Sequence, residues 1–265
     1  MGNIRVCVVG AAGKMGQEVI RTVCRKSGME LAGAIDVAAV GQDAGLVAGI
    51  DRLGVMIKGE AEEALMQDRY DVVVDFTQAE ALRQNLPHYL EHKVSLVIGT
   101  TGLAKDEISG FAEKTKKAGI GCLFAPNFAI GAVLMMQFAR IAARYMDRAE
   151  IIEFHHPQKK DAPSGTAIKT AEGIREERDI IFEDHSTEMV KGSRGGVVGS
   201  VNIHSVRLPG YIAHQEVIFG GEGQTLTIRH DSLSRISFMP GVVLAVRHVA
   251  AHQGFFYGLE SILDL

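Results

Sequence analysis

Apolar positions in the first half of the chain fall into two periods that alternate along it. Short β-branched runs at 4–9, 30–35, 71–76, 95–98 and 120–124 read as strands. Between them, apolar residues at 14–27, 60–68, 79–91 and 105–118 recur with helical spacing. Such alternation predicts βαβ units, and therefore an α/β, Rossmann-like domain with a doubly wound parallel sheet.

After Asn127 the rhythm changes. A long apolar helix pattern at 130–145 leads to a strand at 151–154, a dense polar loop and a helix at 166–178. Three β-like runs follow at 199–206, 214–219 and 224–229, separated by Leu208-Pro209-Gly210 and by Gly220-Gly221-Glu222-Gly223. This half predicts an α+β domain with a mixed, mostly antiparallel sheet. Residues 179–198, polar and glycine-rich, are expected to form a mobile loop over a site. A final helix at 238–252 should return to the first domain, which sets the expected division: 1–126 with 236–265, and 127–235.

Composition narrows the function. Among 265 residues, 46% are apolar and 23% charged, an ordinary balance for a globular protein with a full core. The net charge of −4 argues against a duplex nucleic acid as partner. The first apolar run is too brief for a signal segment or a membrane span, so a cytoplasmic protein is expected. Cys7, Cys24 and Cys122 lie far apart in apolar surroundings with no Cys-x-x-Cys pair, and read as reduced core thiols.

The strand at 4–9 runs into Gly10-Ala11-Ala12-Gly13-Lys14-Met15-Gly16 and then a helix. Glycines there let backbone approach a pyrophosphate at a helix N-terminus, although the spacing is Gly-x-x-Gly-x-x-Gly and such a loop is also a plain strand-to-helix turn. Asp36, 20 residues beyond Gly16 at the end of the second strand, is placed to accept bonds from ribose hydroxyls. Val37 follows it, with no arginine to pair a 2′-phosphate, and Lys14 is the nearby cation; NADH is expected to bind at least as well as NADPH. Two further strand ends, Phe76-Thr77 and Gly99-Thr100-Thr101-Gly102, lie where open α/β sheets hold ligands, or are simple turns.

Residues 150–167 read Glu-Ile-Ile-Glu-Phe-His-His-Pro-Gln-Lys-Lys-Asp-Ala-Pro-Ser-Gly-Thr-Ala. His155 and His156 supply imidazoles suited to acid–base work, Lys159 supplies a cation, and Ser164-Gly165-Thr166 opens a helix whose amides would hold an anion; Lys160 is left to solvent. An acidic small molecule is the expected ligand. The pairs His88/His92 and His248/His252 have helical i, i+4 spacing but neither a neighbouring Glu nor a third ligand, so no metal is expected.

The 150–167 stretch resembles the signature of the 4-hydroxy-tetrahydrodipicolinate reductases, the dihydrodipicolinate reductases of bacterial lysine and diaminopimelate synthesis. The likeness runs along essentially the whole chain: the Gly10–Gly16 loop, Asp75-Phe76-Thr77, 97–102, Ala125-Pro126-Asn127-Phe128, Arg207 to Gly210 with His214, and Ser234-Arg235 fall in family order. Many members carry a basic residue just after the ribose-binding acid, and Val37 departs from that pattern. The resemblance implies a nicotinamide-dependent reductase acting on a cyclic dicarboxylate. Ala125, Pro126, Asn127 and Phe128 then join the cofactor residues, while His156, Lys159, Ser164, Gly165, Thr166 and Arg235 hold the substrate. His155 is implied as general acid, Lys159 as the essential donor on the ligand side, and the second domain's sheet as the builder of a homotetramer. Domain closure about junctions near Asn127 and Arg235 is expected to bring the two ligands together. Another nicotinamide-dependent reductase of a small amino or keto acid stays open as the alternative. A non-catalytic dinucleotide sensor would not need the His155, Lys159 and Ser164 cluster.

Overall fold

The computed structural model describes residues 2–178 and 185–265. In chain order the elements are β1 (Ile4–Val9), α1 (Lys14–Arg25), β2 (Met29–Ile35), α2 (Ala44–Val47), β3 (Ile57–Lys58), α3 (Ala61–Gln67), β4 (Val72–Asp75), α4 (Ala79–Glu91), β5 (Ser95–Ile98), α5 (Lys105–Ala118), β6 (Gly121–Phe124) and α6 (Ile130–Ala143). They continue with β7 (Arg148–His155), α7 (Gly165–Glu177), β8 (Gly196–Val198), β9 (Val201–Arg207), β10 (Ala213–Gly221), β11 (Gln224–Ser232), α8 (Met239–Ala251) and β12 (Gly254–Tyr257). Two compact units result, one running up to Phe128 and resuming at Phe238–Leu265, the other spanning Ala129–Ser237.

The first unit is a seven-stranded parallel sheet in the order β12-β6-β5-β4-β1-β2-β3. Its central strands are apolar on both faces because helices cover both: Val72, Val73 and Val74 are all fully buried. On one face Cys7, Val73, Leu96 and Cys122 pack under Leu65 of α3, Leu82, Leu86 and Tyr89 of α4 and Phe111 of α5. On the other lie α1, burying Val19, Ile20 and Val23, and α8, burying Val242, Val246 and Val249. Burial of one such side chain contributes about 1.5–3 kcal/mol.

The second unit is a five-stranded sheet, β11-β10-β7-β9-β8, antiparallel except where β7 runs parallel to β9. Three cross-strand rows on one face set its chemistry. Ile151 pairs with Ile203 and Val217 in a dry row; Glu153 with Ser205 and Gln215 in a polar one; and His155 with Arg207 and Ala213 in a third. Side chains two apart on a strand share a face, so all three rows point the same way.

Three differences from the sequence reading have physical causes. Cys24 is exposed while Cys7 and Cys122 are buried, because the buried stripe of α1 passes through Val23 and leaves its neighbour outside. Of the stretch expected as a loop, 179–184 lies outside the described residues, and its end forms β8, a Val197-Val198 pair held between turns at Gly195 and Gly199 with φ of 75° and 63°. Strand β12, Gly-Phe-Phe-Tyr, lacks the β-branched residues by which β1, β2, β4 and β5 were read. No helix among the described residues is long and apolar enough to cross a membrane.

Candidate active site

Strand β1 delivers the glycine loop, and close packing dictates its residues. Gly10 has φ of +80°, and a Cβ there would lie 2.8 Å from the Phe76 carbonyl oxygen. At Gly16 a Cβ would lie 2.1 Å from the Gly10 carbonyl, so any side chain would force the turn open. Gly13 caps α1 with no side-chain bond, which leaves the amides of Lys14, Met15 and Gly16 at the helix start without helical acceptors. Asp36, just past β2, accepts the Ala12 amide at 2.9 Å through one oxygen and the Ala38 amide at 2.8 Å through the other. The loop and its expected ribose acid are therefore brought together. Both fit a dinucleotide: backbone bare of Cβ beside helix-start amides, and a carboxylate with lone pairs to spare. Val37 is 85% exposed beside them.

The neighbouring strand ends are tied by one acid that the sequence reading did not single out. Asp75, fully buried, accepts from the Thr77 amide (3.0 Å), the Thr77 hydroxyl (2.6 Å), the Thr100 hydroxyl (2.9 Å) and the Tyr89 hydroxyl (2.9 Å). Thus Phe76, Thr77, Gly99 and Thr100 form a shared edge, with Thr101 exposed next to it. Gly99 leaves room for the Phe76 ring, which would meet a Cβ at 2.1 Å. Ala125 bonds the Ile98 carbonyl at 3.0 Å, and Phe128, 2% exposed, sets its ring 5.4 Å from that of Phe76; Pro126 is exposed and Asn127 half-buried between them.

In the second unit the reactive loop leaves the end of β7. The His155 Nδ1 bonds an oxygen of Glu153, whose side chain is fully buried. Arg207 grips the same carboxylate with both terminal nitrogens, at 2.9 and 2.7 Å, and reaches the Asp161 carbonyl at 2.7 Å. Burial pushes the Glu153 carboxyl up, but hydrogen bonds from His155, Arg207 and Ser205 overcome it and hold the group at about 2. Lys159 donates to both oxygens of Asp161 at 2.8 Å, a pair that lowers the Asp161 carboxyl. His156 shares a hydrogen bond with Gln158 at 3.2 Å, and Lys160 is exposed.

Ser164, 3% exposed, caps α7 by accepting the Ala167 amide at 3.2 Å. The first helical bond runs from Ile168 to Ser164, so Gly165 and Thr166 open the helix where an anion is favoured. The residues of 155–166 thus share one loop. Arg235 is exposed at the start of a 3-10 turn (Arg235–Phe238), with no hydrogen bond to that loop among the described residues. Glu153 and Arg207 were not foreseen as a pair. An acid inside the apolar run Ile-Ile-Glu-Phe, two before a histidine, was the signal for the first; the second sits 54 positions away on another strand and had none. At the paired histidines, the Nδ1 of His92 and of His252 each bonds the carbonyl of the preceding histidine, at 3.0 Å in both.

A Rossmann-type nucleotide unit, joined in one chain to an α+β unit that carries an imidazole and an amine on its loop, defines a pyridine-nucleotide-dependent oxidoreductase. The two halves match family models described as "Dihydrodipicolinate reductase, N-terminus" over residues 4–128 and "Dihydrodipicolinate reductase, C-terminus" over 131–263. The chain belongs to the dihydrodipicolinate reductase family. It is 50% identical over 267 residues to the 4-hydroxy-tetrahydrodipicolinate reductase of Desulfitobacterium hafniense (strain DSM 10664 / DCB-2), covering 100% of both chains. That of Dictyoglomus turgidum is 47% identical, with 98% of each covered. Among solved structures, dipicolinate-bound dihydrodipicolinate reductase from Paenisporosarcina sp. TG-14 superposes with a TM-score of 0.86 at 42% identity, covering 98% of this chain and 100% of that one.

Proposed function

We propose that the protein reduces 4-hydroxy-tetrahydrodipicolinate to tetrahydrodipicolinate with NADH or NADPH, in the route to diaminopimelate and lysine. The observation that carries this reading is the 155–166 loop, where an imidazole, an amine and a helix start stand together. Loss of the C4 hydroxyl together with a proton from the adjacent ring carbon releases water and leaves a conjugated imine; a bound reduced nicotinamide would supply hydride to C4, and the enamine so formed takes up one proton on that adjacent carbon.

His155 donates that proton. Lys159, His156, Arg235 and the Gly165 and Thr166 amides take the two carboxylates, with Ser164 holding the helix start in place. Lys159 can exchange Asp161 for substrate at small cost, because a pair this accessible contributes only about 0–1 kcal/mol. Gly10 through Gly16 receive the pyrophosphate, Asp36 the ribose, and the edge from Phe76 and Thr77 through Gly99, Thr100 and Thr101 to Ala125, Pro126, Asn127 and Phe128 the nicotinamide side. The first unit is the dinucleotide-binding part; the second binds substrate and assembles a cytoplasmic homotetramer, for which the largely exposed edge strand β11 offers a surface.

The test is direct. Protein mixed with NADH and the freshly made condensation product of pyruvate and aspartate semialdehyde should oxidise the nicotinamide, read by its absorbance. No oxidation above background would remove the assignment. Cofactor choice follows from Val37: NADH should be used at least as well as NADPH, and Val37→Arg should raise kcat/KM for NADPH relative to NADH by pairing the 2′-phosphate. A wild-type preference of about tenfold or more for NADPH, about 1.4 kcal/mol, would overturn this point.

A further inference from the structure

We infer that Glu153 and Arg207 are positioning residues for the reduction, one buried carboxylate orienting His155 directly and the loop that carries Lys159 through Arg207. This rests on the reading of His155 as the proton donor. The Glu153 side chain is fully buried, and its two oxygens are shared between the His155 ring and the Arg207 fork. Arg207 then donates to the Asp161 carbonyl at 2.7 Å, and the Asp161 side chain holds Lys159 at 2.8 Å. One carboxylate is therefore the common reference for both reactive side chains.

A structural role alone is a poor account of that acid. Taking an ion pair out of water costs what its attraction returns, and apolar residues of similar volume commonly serve stability as well or better. The row beneath, Ile151 with Ile203 and Val217, shows that this face of the sheet accepts a dry filling. Arg207 also keeps a buried Nε with no hydrogen-bond partner among the described residues, a further desolvation cost accepted for the fork's placement. What the arrangement supplies is orientation. With Nδ1 bonded to Glu153, the neutral ring carries its hydrogen there, and Nε2 is left to take and release the catalytic proton. Among the described residues the pair is flanked by Ser205 and Arg207 from β9 and by Ala213 and Gln215 from β10, with Thr170 of α7 behind Gln215 and Asp161 and Lys159 reached through Arg207. Gln215 is engaged with the Thr170 hydroxyl at 2.8 Å, and His214, next along β10, with Asp231 at 2.6 Å.

Two measurements on the full-length protein decide the matter. In 15N–1H spectra of the imidazoles, with the His155 signals assigned by their loss in His155→Gln, the neutral ring should be the Nδ1–H tautomer; an Nε2–H tautomer overturns the inference whether or not any variant folds. In Glu153→Gln, kcat should fall about 10- to 100-fold, the scale for losing a group that orients a histidine, while substrate KM changes less than about threefold. The alkaline limb of kcat should move to lower pH, since the imidazolium loses its facing negative charge. Unchanged kcat and an unmoved limb overturn the inference. His155→Gln run in parallel separates the two ideas: wild-type kcat there removes the proton-donor reading, while the tautomer still reports whether Glu153 sets the ring.

Discussion

His155, Lys159 and Gly16 show how much single positions carry. His155→Gln should lower kcat by about 10²-fold or more with an intact fold, the ordinary scale for a lost general acid. Steady-state kinetics checks this, and an unchanged kcat would remove the residue from the reaction. Lys159→Ala should depress kcat and raise substrate KM together, because the amine's charge-assisted bond to a carboxylate acts in both states. Gly16→Ala brings a methyl to 2.1 Å of the Gly10 carbonyl oxygen, which already accepts the Gly13 amide at 3.0 Å. A loss of about 1–3 kcal/mol in urea unfolding is expected, together with a weakened KM for the nucleotide. The sequence made His155, Lys159 and Ser164 readable because their chemistry is local, twelve consecutive positions holding most of the loop. Asp161 as the partner of Lys159 was not evident: two residues apart in a loop, opposite charges face each other only when the turn closes, here through the Lys159 amide bonding the His156 carbonyl at 3.1 Å.

At the scale of elements, the hidden acid at the end of β4 ties two strands and a helix. Tyr89 of α4 donates to Asp75 at 2.9 Å while Thr77 and Thr100 approach from the loops after β4 and β5. Tyr89→Phe should cost about 1.5–3 kcal/mol, the usual value of a hydrogen bond to a charged group, measured as a lower urea midpoint at an unchanged slope. Helices α4 and α5 and strands β1 and β5 were legible to the residue, since each has an unbroken period and clear flanks. The short elements α2, β3, β8 and β12 were not, since none carries an apolar run like those that marked 71–76 and 95–98. Their place comes from tertiary partners instead. Asp43 illustrates it, a buried side chain accepting amides from Gly45, Leu46, Leu53 and Gly54, so that α2 and the turn before β3 are organised around one carboxylate.

For the whole molecule, acid should be destabilising throughout. Glu107 and Glu153 are held at about 2 against an ordinary 4.5, Glu107 by its bond from Arg83 and Glu153 by the bonds that outweigh its burial. Asp161, Glu177 and Asp231 are lowered by their cationic partners, and Asp43 by backbone amides that outweigh its desolvation. A depressed carboxyl contributes stability above its unfolded value and loses it as pH falls toward the folded one, so the loss should concentrate between about 4.5 and about 2. His230 and His248, lowered mainly by burial, add a loss of the same sign that begins below their ordinary 6.5. Urea midpoints measured from pH 7 down to pH 3 should decline throughout, and a flat profile would contradict the assignment. Glu153→Gln should flatten the steepest part.

Strand β12 has one more consequence, and it concerns birth rather than chemistry. The polypeptide emerges from the ribosome in order, and the outer edge of β6 waits bare until residues Gly254–Tyr257 arrive to pair with it. At about 5–20 residues per second, that delay is roughly 6–26 s after Phe128 has been made. Over the same interval α8, which packs against α1, β5 and β6, is also missing. The inserted segment is complete first, so the nascent half that precedes it is the one exposed to chaperones and to sticking through an open edge, and that edge closes only when β12 pairs with it.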